Sequence, residues 1–199
     1  MVLGANGMGK GRVEAFSDGV IAIIITIMVL ELKVPHGTEL ADLKPLAPVF
    51  AGYLLSFIYV GIYWNNHHHM LTAVRTVNGT VLWANLHLLF WLSIVPFVTA
   101  WMGENPLATA PVAAYGAVLL MNALAYTVLQ TVLIAHEGAD SPLANATRSD
   151  FKGKISLVFY ALALLAAFFL PAVSLALYVA VACIWFIPDR RVERQLGVT

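Results

Sequence analysis

Five stretches of this chain contain no Asp, Glu, Lys or Arg: residues 19–30, 45–74, 76–103, 105–136 and 155–188. Four of them exceed the roughly 20 residues that a helix needs to cross a bilayer. With 60% hydrophobic and 11% charged residues, against roughly a quarter charged in an ordinary soluble domain, the chain cannot clothe such runs with a water-soluble surface. An all-α polytopic membrane protein in a lipid bilayer is expected. The last run has 34 residues, and as one helix rising ~1.5 Å per residue it would reach about 51 Å, far beyond a hydrocarbon core of about 30 Å. It must fold back, and Pro171 is the natural breaking point, since it has no amide proton and disfavours helical geometry in the residue before it. Six transmembrane helices follow, near 13–34, 45–70, 80–102, 107–135, 153–170 and 172–188, in one domain spanning 1–199.

Charge placement supports this count. In six spans with both termini cytoplasmic, Lys10, Arg12, Arg75, Arg148, Lys152, Lys154, Arg190, Arg191 and Arg194 lie inside, and only Lys33 and Lys44 outside, as the positive-inside rule requires. Five spans would put the last three arginines on the far side. The longest connection, 137–154, is then cytoplasmic. Glu31 and Lys33 stand where a signal-peptide cleavage site would need small residues, so the first apolar run is expected to stay in the mature protein.

Several function classes drop out. Eleven Lys and Arg balance eleven Asp and Glu, which leaves no basic excess to hold a nucleic-acid backbone. The lone Cys183 permits no internal disulfide and no cysteine-based metal site. The glycine-rich segment 4–11 has Gly11 where a phosphate-binding loop needs Ser or Thr, and no strand precedes it. His67, His68 and His69 are consecutive, so on a helix they fan apart by about 100° each and cannot converge on one ion. Asn78-Gly79-Thr80 and Asn145-Ala146-Thr147 match the glycosylation triplet but fall on inside loops, where the match is chance.

The first helix is unusual. Glu14, Asp18, Glu31 and Lys33 crowd its ends, and ionisable residues in a span generally face protein or a water-filled cavity, which places this helix in the interior. At about 100° per residue, Gly19, Ile23, Thr26, Ile27, Leu30 and Val34 share an arc of about 100°, while Asp18 lies about 140° from Ile23 with Glu14 and Ile25. One stripe is thus apolar with a single hydroxyl, and the acid points into the protein's own packing. The stripe can be core or the lining of a pore. An unpaired acid at Asp18 costs roughly 3 kcal/mol, so it needs donors from other helices. The Trp64 indole, the His67 imidazole and the Asn85 amide lie at its depth.

The string Arg12-Val-Glu-Ala-Phe16-Ser17-Asp18 resembles the RxxxFSD signature that opens the first helix of the transmembrane protein 175 family. Trp64-Asn-Asn-His67 resembles the WxxH element of that family's second helix, and Asn85 with Pro96-Phe97 its third. The resemblance covers essentially the whole chain. It implies a potassium-permeable, modestly potassium-selective cation channel that is not an enzyme and carries no cofactor or metal, with potassium as the permeant species. It also implies a homotetramer in a bacterial inner membrane, with helix 1 of each subunit lining a central pore.

In the family pattern Ile23 makes the narrowest ring, and Thr26, Ile27 and Leu30 also face the pore. Arg12, Phe16, Ser17 and Asp18 carry over as an interhelical network with Trp64, His67 and Asn85, not as ion ligands. A ring of isoleucines can gate by dewetting but cannot replace an ion's hydration shell. Selectivity would then come from pore width, from the cost of partial dehydration, or from hydroxyls such as Thr26. Two other functions compete: a proton-coupled secondary transporter using Asp18 and His67, and a metal or haem protein ligated by His67 and His87. Residues 101–199 hold no second copy of the motif and no clear repeat of the first half, which counts against the transporter.

Overall fold

A computed structural model describes residues 9–147 and 151–186, and among these every regular element is helical. In chain order they are α1 (Lys10–Leu30), a 3₁₀ segment (Leu40–Leu46), α2 (Ala47–Thr72), α3 (Gly79–Glu104), α4 (Thr109–Glu137), a short α5 (Pro142–Thr147), α6 (Phe151–Ala166) and α7 (Pro171–Phe186). Four helices are long and apolar enough to cross a membrane: α1, α2 with its leading 3₁₀ segment, α3 and α4. Arg148, Arg190, Arg191, Arg194 and most of the glycine-rich segment lie outside the described residues.

Local chemistry sets most boundaries. The 3₁₀ segment opens with a reciprocal cap in which the Glu39 amide donates to Asp42 Oδ2 at 2.9 Å. Asn78, read from sequence as a chance glycosylation site, is the N-cap of α3, and its side chain accepts from the Val81 amide at 2.9 Å. Helix α4 stops at Gly138, whose φ of +101° suits glycine. The fold-back falls where Pro171 predicts it: α6 ends at Ala166 and Pro171 starts α7, a position where its missing amide proton would go unused. Ser174 then ties the hairpin by donating to the Ala163 carbonyl at 2.7 Å.

Two expectations need correction. Helix α1 ends at Leu30, not Val34, because Pro35 pushes Val34 out of helical geometry. Val34 therefore does not extend the stripe. Nor does α1 sit inside the single chain. It packs on α2 and α3 at one edge, while α4 forms the centre, touching α3, α6 and α7.

Between the helices the core mixes apolar packing with satisfied hydroxyls. Ser56 of α2 bonds Thr99 of α3 at 2.7 Å and Tyr115 of α4 at 2.9 Å, all three buried. Tyr59 donates to the Tyr178 carbonyl at 2.5 Å, and the Tyr178 hydroxyl donates to the Val112 carbonyl at 3.2 Å. These bonds hold α2, α4 and α7 together where water cannot substitute. At the other end of α3 from its cap, Lys33 pairs with Glu104. That hydrogen bond and the carboxylate's charge raise the Lys33 pKa above its usual 10.5. The lysine's side of the pair is therefore present throughout the neutral range and fades as the lysine loses its proton in strong alkali.

Candidate functional site

Helix α1 has two distinct faces. Val13, Ser17, Ile21, Ile24 and Met28 are buried against α2 and α3, a stripe with the three-and-four spacing of one helical face. The opposite side carries Ile23, 58% exposed, with Ile27 and Leu30 at 42% and 80% and the exposed Thr26. Within one chain this second stripe is therefore not core. The Thr26 hydroxyl donates to the Ile23 carbonyl at 2.8 Å, so its hydrogen is committed to the helix and its oxygen remains available as an acceptor.

Behind this face the predicted network divides into separate parts. Asn85 of α3 accepts at Oδ1 from His67 Nε2 of α2 at 2.7 Å and donates through Nδ2 to Ser17 Oγ of α1 at 2.9 Å. All three side chains are buried. One amide thus joins three helices, using its acceptor for one and its donor for the other. The second part is a pair, with the Trp64 indole donating to Asp18 Oδ1 at 2.9 Å and the Trp64 ring stacking on His68.

Asp18 is exposed in the chain rather than turned into its packing. The inward direction belongs to Ser17, about 100° around the helix, and Asp18 occupies the flank between the buried face and the open stripe. The side chains of Arg12 and Phe16, expected in the same network, are exposed and do not join its hydrogen bonds.

The histidines go separate ways. His67 is taken by Asn85, His68 lies against Trp64, and His87 accepts from the Trp91 indole at 3.1 Å within α3. His67 and His87, paired as axial ligands in one sequence reading, thus point to different partners. Among the described residues no three His, Cys, Asp or Glu side chains cluster as metal ligands. Sequence reasoning missed the Ser56–Thr99–Tyr115 bonds. Each hydroxyl lies within an apolar run on a different helix, and no local spacing links them.

Comparison with known proteins agrees with this architecture. The family described as Endosomal/lysosomal potassium channel TMEM175 matches over residues 12–96, which contain nearly all of α1, all of α2 and most of α3, and with them Ser17, Asp18, Trp64, His67 and Asn85. A potassium channel of Chryseobacterium sp. (strain P1-3) is 57% identical over 189 residues, covering 95% of this chain and 98% of that one. A potassium channel of Streptomyces collinus is 36% identical over 155 residues, covering 71% and 75%. The crystal structure of a lysosomal potassium-selective channel TMEM175 homolog from Chamaesiphon minutus superposes with a TM-score of 0.78 at 28% identity, covering 89% of this chain and 96% of that one. The chain belongs to the TMEM175 family of ion channels, and is a multi-pass membrane protein and not an enzyme.

Proposed function

We propose that the protein is a potassium-permeable, modestly potassium-selective channel assembled as a homotetramer, with α1 of each subunit lining a central pore and Ile23 forming its hydrophobic constriction. The observation that carries the potassium assignment is the 57% identity, over 95% of the chain, to a relative named a potassium channel. Support for the pore position comes from α1 itself. Its Ile23, Thr26, Ile27 and Leu30 side chains are exposed, with no helix among the described residues packed over them, while Ser17 anchors its other side to Asn85.

Four isoleucines around an axis would make a dewetting gate, and the Thr26 oxygens just beyond would offer acceptors to an ion that has shed part of its water. Potassium holds its hydration shell less tightly than sodium, so a narrow, weakly coordinating path favours it modestly. Ser17, Asn85, His67, Asp18 and Trp64 then serve to hold α1 in place, and Arg12 and Phe16, exposed in one subunit, would contact neighbouring ones. Both termini are assigned to the cytoplasm of a bacterial cell, with the chain in its inner membrane. Lys10, Arg12, Arg75, Lys152 and Lys154 support this orientation, with only Lys33 and Lys44 in the connection between α1 and α2.

Potassium and sodium flux into liposomes containing the purified protein, wild type against Ile23→Asn, tests this. Wild type is expected to pass potassium in preference to sodium. The variant is expected to leak about tenfold faster with weaker discrimination, a barrier change of ~1.4 kcal/mol. Equal potassium and sodium flux in wild type would remove the selectivity. An unchanged Ile23→Asn would move the ion path away from α1.

A further inference from the structure

At the end of the bundle where α2 runs into α3 and α4 terminates, three side chains form a closed set of hydrogen bonds. Asn78 uses its oxygen to cap α3 through the Val81 amide at 2.9 Å and offers its amide nitrogen to His136 Nδ1 at 3.1 Å. His136 Nε2 lies 3.1 Å from Thr76 Oγ1. Beside it, Glu137 Oε1 accepts from the Arg75 and Thr76 amides at 2.9 and 3.4 Å. The loop between α2 and α3 is thereby fastened to the last turn of α4 from two adjacent positions.

Donor and acceptor roles here leave no freedom. An amide NH₂ can only donate, so His136 Nδ1 must carry a lone pair, and Nε2 is left to hold the ring's single proton and give it to Thr76. Only the neutral imidazole satisfies both contacts. Adding a proton to Nδ1 sets two donors against each other. The charged ring then needs an acceptor, and Asn78 supplies one by turning its oxygen toward His136, which takes the cap away from the Val81 amide of α3. His136, Asn78 and Thr76 are all exposed, so bulk protons reach the ring directly. Among the described residues, the charged and titratable groups on the surrounding elements include Glu137 and Asp140 after the ring in sequence, Arg75 in the facing loop, His69 in the last turn of α2, and Lys10, which bonds the Thr72 carbonyl and pairs with Glu14.

We infer that Asn78, His136 and Thr76 form an acid-released latch, closed while His136 is neutral and opened when it takes up a proton, which frees the first turn of α3 from the end of α4. The consequence reaches the helix that contacts α1, because Asn85 lies two turns further along α3 and holds Ser17. The latch is independent of which ion the protein conducts.

Hydrogen–deuterium exchange of the full-length protein in nanodiscs, corrected for intrinsic rates, reads it directly. Between about pH 8 and pH 5.5 the Val81 and Leu82 amides of wild type are expected to lose protection by about fivefold, the change that loss of an N-cap bond makes in a local opening equilibrium. His136→Gln cannot titrate and is expected to abolish the change. Asn78→Asp keeps a capping oxygen and adds a carboxylate that pairs with protonated His136, so its pH dependence is expected to reverse, with protection rising on acidification. Protection in wild type that does not change with pH overturns the latch. So does the same change in His136→Gln, or an Asn78→Asp response of unaltered sign.

Discussion

Asn85→Leu is expected to lower the unfolding free energy by about 3 kcal/mol, measured by reversible unfolding in mixed micelles. Leucine keeps asparagine's branching and its number of side-chain heavy atoms but is bulkier, so at this buried position the loss combines stranded polar groups with some overpacking. Ser17 Oγ loses the amide proton it accepts and His67 Nε2 loses its acceptor, and each buried, unpaired group costs about 1–3 kcal/mol. Water cannot reach either site to compensate, since both residues are buried among α1, α2 and α3. A cycle with Ser17→Ala separates this account from simple misfit. Once Ser17 carries no hydroxyl, Asn85→Leu should cost less than it does alone, because one of the two stranded groups has been removed. Strict additivity would show that Asn85 stabilises the protein by something other than this bond.

Gly116→Ala should cost about as much, despite being the smallest substitution a glycine can undergo. A Cβ at this position would fall 1.9 Å from the Tyr178 hydroxyl and 2.8 Å from its Cζ. Tyr178 cannot simply swing aside. Its hydroxyl is bonded to the Val112 carbonyl and its own carbonyl accepts from Tyr59, so relieving the clash breaks the seam between α4 and α7. Overpacking of this kind costs about 3 kcal/mol. Gly61→Ala is the control. Apart from its chain neighbours and the backbone of its own helix, nothing lies within 4 Å of a Cβ built there, and alanine is favoured over glycine inside a helix by about 1 kcal/mol. The two substitutions should therefore shift the unfolding midpoint in opposite directions, and equal effects would mean that Gly116 is not a packing glycine.

What could be read from the sequence was what a run of residues determines by itself. Uninterrupted apolar stretches foretold α2, α3 and α4, and Pro171 foretold the α6–α7 turn, because each signal is local and physically compulsory. The open stripe of α1 was also visible, since the angular relation of Ile23, Thr26, Ile27 and Leu30 follows from helix geometry alone. The direction of that stripe relative to the rest of the chain was not visible. A helical wheel measures angles from a chosen residue and contains no neighbour, so it could not tell that Ser17, rather than Asp18, faces α3. The short α5 and the 3₁₀ segment escaped for a related reason, being too brief to show a period. The triplet at 78–80 conceals a cap, since Asn78 directly precedes Gly79, the first residue of α3, and bonds the Val81 amide three positions on. The tyrosine and serine contacts among α2, α4 and α7 join positions separated by up to 119 residues, and nothing in any one segment announces them.

The exposed stripe of α1 also bears on how subunits would find one another. Ile23, Ile27 and Leu30 are as compatible with lipid tails as with another protein, so a chain alone in a bilayer suffers no penalty for leaving them uncovered. Association along this face gains nothing from the hydrophobic effect and must be driven by close packing and by polar groups at the stripe's edge, such as Asp18 with Trp64. Assembly would then be a balance between lipid solvation and protein contact. Diluting the protein into excess lipid should dissociate it into folded, inserted single chains rather than unfold it.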